Sequence, residues 1–282
     1  MNPYISVPLT PGKNIKYDYT WLKGANLAAA VLHAVSFTAL FITTVIISRK
    51  SYQAELTVDF RVYDGVNNTV NRYSGPYKTT ADSIGFVRIV WVQLWFPLVT
   101  SLFHFYIYKN VETVYKEVLT RKCNKYRWIE YAITTPLMTF TISQLSGITN
   151  IFLLLSISVI MNTLLQFCGW LIESTQGDVQ LASLLSGWCI FTFQWTVIFA
   201  YFYAATTSHQ VPDFVYTVII VLFFLFSLFG VNQTYYVFFT KYTLDDVVRM
   251  EYKFILLSFV SKASLDWIIM IGLLQNGMAE AS

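Results

Sequence analysis

Leu256-Leu-Ser-Phe-Val-Ser-Lys262-Ala-Ser-Leu-Asp-Trp267 lies inside the last long apolar segment of the chain. Lys262 stands about halfway along a run, 254–274, that is otherwise almost entirely Ile, Leu, Val, Phe, Ser and Met. An ammonium at membrane depth costs at least ~2.5 kcal/mol on insertion scales, so this lysine needs a physical reason. One reason is covalent: a Schiff base to an aldehyde, shielded by surrounding helices and paired with a carboxylate. The other is structural, a lysine that pairs with a nearby acid or lines a water-filled cavity. The residues by themselves leave both open.

Composition sets the environment. Of 282 residues, 55% are hydrophobic, 18% aromatic and only 12% charged, with a mean hydropathy of +0.51. Soluble domains carry roughly 25% charged residues, so the chain reads as an integral membrane protein in a lipid bilayer. A helical bundle of this length needs no second domain. The net charge of +3 is small and dispersed, which excludes a nucleic-acid partner. Cys123, Cys168 and Cys189 fall at no metal-ligand spacing, so neither a disulfide scaffold nor a metal site is expected. Nothing in the motifs points to an enzyme. Residues 1–20 are polar and contain Pro3, Pro8 and Pro11, which makes the first span its own uncleaved signal anchor.

Working back from Lys262, apolar runs predict an all-α bundle of seven transmembrane helices, each able to cross roughly 30 Å of hydrocarbon. They cover 21–47, 84–108, 126–146, 151–172, 181–207, 214–240 and 247–274. The bundle thus occupies 21–274, between an N-terminal tail at 1–20 and a C-terminal tail at 275–282. Between the first two spans, 48–82 contains the alternating stretch Ala54-Glu-Leu-Thr-Val-Asp-Phe-Arg-Val-Tyr63, then Asp64-Gly65 and a second aromatic run through Tyr73 and Tyr77. Alternation broken by Asp-Gly predicts a small β-hairpin lying over one mouth of the bundle. Asn67-Asn68-Thr69 also matches a glycosylation sequon. Twelve lysines and arginines flank one side of these spans and five the other. Positive charge stays inside, which places the N-terminus in the cytoplasm and the C-terminus outside.

Few ionisable residues remain at depth. Glu130, in Arg127-Trp-Ile-Glu-Tyr-Ala-Ile-Thr-Thr-Pro136, lies a turn into the third span. Lys262 lies about 12 Å below the same face by helix rise, within side-chain reach of it. A carboxylate there keeps a proton on the lysine nitrogen; alternatively it is an interfacial acid paired with Arg127 or Lys125. His33 and His104, in the first and second spans, either take a proton that leaves the pair or are neutral rings bonded to carbonyls. Asp266, at i+4 from Lys262 on the same face, either forms an ion pair with it or faces the outer loops as a solvated residue, the second being expected, and Arg88 is expected to snorkel. Phe223, Phe224, Phe226 and Phe229 with Trp188 and Trp195 offer walls for a polyene pocket. Asn162 and Gln194 are polar groups in mid-span, which bond across helices or line a cavity.

Together these features resemble the heliorhodopsins. The resemblance lies in Arg127-Trp-Ile-Glu130-Tyr131, Phe96-Pro-Leu-Val-Thr-Ser-Leu-Phe-His104, Phe193-Gln-Trp195, Ser258-Phe-Val-Ser-Lys262 and Asn162. It extends over all seven spans, the hairpin and the inverted orientation. It implies that Lys262 carries all-trans-retinal, that Glu130 is the counterion, and that His33 and His104 belong to a cytoplasmic-side polar cavity that accepts the proton. It also implies a pocket lined by Tyr131, Thr134 and Met138, with Asn162, Gln194, Trp195 and Ser258 close by, and a homodimer through helices four and five. Ser258 and Thr141 stand where proton-pumping rhodopsins carry acids, which argues against outward pumping. The opsin Asn-Pro-x-x-Tyr motif is absent after Lys262, so G-protein coupling is not supported. The expected function is light sensing with an unidentified signalling partner. The alternative is a light-gated proton or cation channel of viral heliorhodopsin type, for which the outer half offers mainly Asp266, Asn232 and Gln233.

Overall fold

The computed structural model describes residues 19–47, 53–63, 77–208 and 210–279. They form helices α1 (Thr20–Ile47), α2 (Ile89–Lys109), α3 (Val111–Arg121), α4 (Lys125–Leu145), α5 (Ile151–Ser174), α6 (Asp178–Ser208), α7 (Asp213–Phe239) and α8 (Leu244–Ala279). Strands β1 (Gln53–Tyr63) and β2 (Tyr77–Arg88) lie between α1 and α2. Six helices, α1, α2, α5, α6, α7 and α8, are long and apolar enough to cross a membrane. The helix at the expected third span, α4, is 21 residues long but carries Lys125, Arg127 and Glu130, and is not among those six. Backbone amides have no water to bond in hydrocarbon, so each apolar run closes its hydrogen bonds internally as helix.

Helix starts follow their sequence signals. The Asn124 side chain accepts from the Arg127 amide at 3.1 Å, and Asn150 from Leu153 at 3.0 Å, capping α4 and α5. Thr243 and Asp246 cap α8 reciprocally, with Thr243 N donating to Asp246 at 3.0 Å and Asp246 N to the Thr243 hydroxyl at 3.2 Å. That box starts α8 at Leu244, three residues before the expected 247, and the helix runs on to Ala279 rather than stopping at 274. The loop expected between the second and third spans contains α3, whose Val111, Val114, Tyr115 and Val118 recur at helical spacing. They pack against Leu22 of α1 and Val247 and Val248 of α8, closing one end of the bundle.

The hairpin is present, with an antiparallel register running from Gln53↔Arg88 to Tyr63↔Tyr77. Its second strand reaches Arg88, so 84–88 is strand where the second span was expected to begin. Ile84, Phe86 and Val87 favour a pleated ribbon, and Gly85 at φ +152° lies outside helical space beside the bulge at Leu56/Thr57. Arg88 therefore ends a strand, exposed, and does not snorkel from within a helix. The ribbon is pinned over the α4–α5 connection: Thr57 N donates to the Thr149 carbonyl at 2.9 Å, and Leu56 packs on the main core. The Asp64-Gly65 turn, Tyr73 and the Asn67 sequon lie outside the described residues, as do both extreme tails.

The main core joins α2, α4, α5, α6, α7 and α8 through Phe96, Met138, Leu154, Trp195, Leu222 and Leu265, with α7 and α8 in intimate contact. A Cβ at Gly272 would come within 2.3 Å of the Phe214 ring, whereas one at Gly24 meets nothing within 4 Å. Gly272→Ala is expected to destabilise the bundle by about 1–3 kcal/mol through overpacking. Gly24→Ala should be neutral or mildly stabilising, and thermal unfolding in detergent compares the two.

Candidate functional site

Lys262 on α8 and Glu130 on α4 are 2% and 4% exposed, and the lysine Nζ donates directly to Glu130 Oε1. Two hydroxyls complete the carboxylate: Thr100 of α2 donates to Oε1 at 2.7 Å and Thr134 at 3.1 Å. The Tyr131 ring lies 5.1 Å from Nζ and adds a cation–π contact. Glu130 is thus not an interfacial acid held by its basic neighbours. Lys125 turns outward to Glu117 at 2.7 Å, a hydrogen bond that holds the exposed Glu117 carboxyl below the usual carboxylate range. Arg127 turns inward, where it bonds both Glu173 of α5 and Glu251 of α8.

That buried triad was not anticipated from sequence. Glu173 also accepts from the Trp128 indole at 3.0 Å, Gln233 at 3.2 Å and the Asn124 amide at 3.1 Å, and Glu251 from the Asn124 side chain at 2.6 Å. Its sequence signal was two acids near the ends of apolar runs; which cation they share depends on packing. Gln233 at this end also moves Asn232 and Gln233 to the α3 end of α7, not to the outer half as expected.

A small cavity of about 30 Å³ lies between the triad and Glu130, walled largely by apolar surface that includes Ile107 and Phe254, with Asn26, His104, Arg127 and Glu130 also lining it. It has room for a water molecule and the polar partners to hold one. His104 Nδ1 lies 2.8 Å from Asn26 Oδ1, and the Asn26 amide donates to Tyr115 at 3.0 Å. His33 is fully buried, stacked on His104 with ring centroids 6.3 Å apart, and neither of its nitrogens has a hydrogen-bond partner among the described residues. The two histidines are therefore brought together, with one on the cavity wall and the other behind it.

On the other side of Lys262 a larger cavity of about 140 Å³ opens between α4, α5, α6, α7 and α8. Tyr131, Met138, Asn162, Gln194 and Ser258, all expected near a chromophore, line it together with Trp188, Phe226 and Phe229. Trp195 lies one layer behind, its ring centroid 6.1 Å from that of Phe226, and Phe223 packs on Trp195 at 5.3 Å. Thr134 bonds Glu130 instead of the cavity, and Phe224 is turned outward. Asn162 and Gln194 share a local cause. A π-helical turn at Ser156–Ile160 in α5 presents carbonyls that Asn162 (Ser158 O, 2.8 Å) and Gln194 (Ile157 O, 2.8 Å) satisfy. At Gly169 a Cβ would sit 2.3 Å from the Trp128 ring, so bare backbone lets that indole close one end of the cavity. An amine with its carboxylate at the head of an aromatic trough fits an elongated apolar aldehyde.

Asp266 departs from expectation. It is 1% exposed, not solvated, and packs against Gln93 of α2. The solvated reading failed because nothing in the sequence links position 266 to position 93.

A buried lysine–carboxylate pair heading an aromatic cavity in a helical membrane bundle defines a rhodopsin-type protein. The chain has the fold of the transmembrane domain and linker region of Salpingoeca rosetta rhodopsin phosphodiesterase (TM-score 0.62, 11% identity, 94% of this chain and 74% of that one). Exiguobacterium sibiricum rhodopsin (0.56, 14%, 91% and 99%) and xanthorhodopsin, a light-driven ion pump with dual chromophore (0.61, 10%, 92% and 96%), share it. No curated protein matches the sequence significantly. Residues 22–274 match the heliorhodopsin family, and the chain belongs to that family, a light-responsive retinal protein embedded in the membrane.

Removing the cation from the triad leaves two acids buried together. Arg127→Leu is expected to destabilise the protein by about 3–5 kcal/mol, while Lys125→Ala on the exposed pair should leave thermal unfolding nearly unchanged.

Proposed function

We propose that the protein is a light sensor in which Lys262 holds all-trans-retinal as a protonated Schiff base and Glu130 is its counterion. The observation that carries this reading is the direct Lys262–Glu130 bond at the head of the aromatic cavity. Retinal, when bound, supplies light absorption and isomerisation. Glu130, with Thr100 and Thr134 donating to it, keeps the proton on the Lys262 nitrogen, since an opposite charge favours the charged form. Ser258, Met138 and the aromatic wall orient an apolar chain and keep water from that nitrogen. A proton leaving the pair has the Glu130/His104 cavity to enter, with His33 stacked behind. The charge change then biases a two-state bundle that a signalling partner reads.

Three finer features belong to the same reading. The helix α4 crosses as a seventh span: its 21 residues reach about 32 Å, and Arg127 and Glu130 are paired inside the bundle rather than facing lipid. The N-terminus is cytoplasmic, which the lysine and arginine distribution supports. The chain forms homodimers through α5 and α6, whose outer faces expose Phe152, Ile160, Leu164, Phe167, Leu185 and Phe193.

The channel alternative requires a polar path on the hairpin side of Lys262. With Asn232 and Gln233 at the opposite end, the buried ionisable side chain on that side among the described residues is Asp266; its other buried polar groups, Gln93, Thr139, Ser143 and Gln144 among them, are uncharged, and this thin supply of charge supports the sensor. Purification with retinal should yield a coloured pigment that Lys262→Ala abolishes. Glu130→Gln should shift the absorption to the red, because the lost negative charge had stabilised the ground state; an unshifted spectrum removes Glu130 from the role. Stationary photocurrents in illuminated, patch-clamped cells would replace the sensor with the channel.

A further inference from the structure

Asp266 lies one turn along α8 from Lys262, towards the hairpin end, and belongs to no part of the site described so far. The apolar residues packed around its level are Leu40 and Phe37 of α1, Leu94 of α2, Met270 of α8, and Val215, Val218 and Ile219 of α7 against Leu265 and Ile269. The polar side chain brought to it is Gln93, itself fully buried, whose Nε2 lies 3.4 Å from Asp266 Oδ1 and 3.4 Å from the Asp266 carbonyl. Asp266 Oδ2 and Gln93 Oε1 have no hydrogen-bond partner among the described residues.

Partner inventory decides which of the two acids near Lys262 carries a proton. Glu130 has the ammonium and two hydroxyl donors. Asp266 has one long amide contact, and the charged group that acts on it, Lys262, is already bonded to Glu130. One cation cannot neutralise two buried carboxylates, and an unpaired buried ion is the costliest arrangement available. Asp266 and Gln93 together also have more acceptors than donors. A proton on the carboxyl removes the charge and supplies the missing donor. Of the charged groups on the elements packed around it, Lys262 on α8 is the one that acts on Asp266; His33 of α1 is buried beside His104, and Arg88, at the end of β2 just before α2, and Asp213, at the start of α7, are exposed.

We infer that Asp266 and Gln93 form a second proton-binding site, occupied in the resting protein, on the side of Lys262 away from Glu130. Thr100, at the Glu130 level, and Gln93, at the Asp266 level, are seven residues apart on α2, so the two acids flank the lysine at heights differing by about 10 Å. A proton held there is available to the Lys262 nitrogen from the hairpin side. In that transfer the Asp266 O–H bond breaks, an N–H bond forms on the lysine nitrogen, and the carboxylate left behind faces the new cation. The relay rests on the retinal reading; occupancy of the site does not.

Infrared spectroscopy of the full-length protein in lipid, with and without added retinal, tests it. The expected result is a protonated-carboxyl band, present in both preparations, lost in Asp266→Asn, retained in Glu130→Gln and shifted in frequency in Gln93→Leu. In the pigment, Asp266→Asn should leave the neutral-pH absorption maximum in place. It should also abolish a blue shift that the unmodified pigment undergoes as Asp266 ionises on alkaline titration. If Asp266→Asn removes no such band, or reddens the neutral pigment as Glu130→Gln does, Asp266 is an ordinary carboxylate and the inference is overturned. If no colour forms while the Asp266 band is present, the retinal reading fails and the proton site stands. Gln93→Leu keeps the test open if Asp266→Asn does not fold, because an unshifted band in it also overturns the inference.

Discussion

An ion pair inside hydrocarbon admits few arrangements, and the bond between Lys262 and Glu130 constrains the rest of this bundle. Neither charge is tolerable alone at that depth, so α8 and α4 must meet at those two residues. Their meeting brings in α2 as the third partner, because Thr100 donates to the same oxygen. With those three helices set, polar groups collect on one side of the lysine and aromatic walls on the other. The site's division into a small cavity beside His104 and an aromatic trough follows from where that single pair sits.

The Arg127–Glu173–Glu251 triad works at a second level of the same bundle. It ties α4, α5 and α8 together near the end closed by α3, and its guanidinium lies 3.9 Å from the Phe254 ring centroid, next to the aromatic cavity. A planar fork that reaches two carboxylates at once specifies a relative placement of three helices that apolar packing would leave degenerate. The triad and the lysine pair are separated by the small cavity holding His104 and Asn26. A charge moved at one is therefore felt at the other through few intervening atoms, in surroundings of low effective dielectric.

Much of this was legible in the residues taken one after another. Lys262 could be singled out because a lysine amid Leu, Phe and Val announces its own cost, and Glu130 because side-chain reach limits its partners. The hairpin was legible from alternation at Ala54–Tyr63, and family membership from motifs on several spans. The readings that failed have different causes. Asp266 was read as solvated, Asn232 and Gln233 were set in the wrong half of α7, and Glu173 and Glu251 were passed over. Asp266 and the two glutamates depend on neighbours distant in the chain, Gln93 being 173 positions from Asp266 and Arg127 124 from Glu251; Asn232 and Gln233 did not, because alternation of the spans from a cytoplasmic N-terminus already brings the end of the sixth span to that side.

Sequence by itself determined which segments are apolar, which few charges lie among them, and which nitrogen is exceptional, because hydropathy and helical period are local properties. The tertiary structure alone decided which acid meets which base, that two histidines stack, and that Gly169 leaves room for Trp128. Those outcomes turn on distances between helices. A chain of separate apolar runs specifies such distances only once its buried polar groups have found one another.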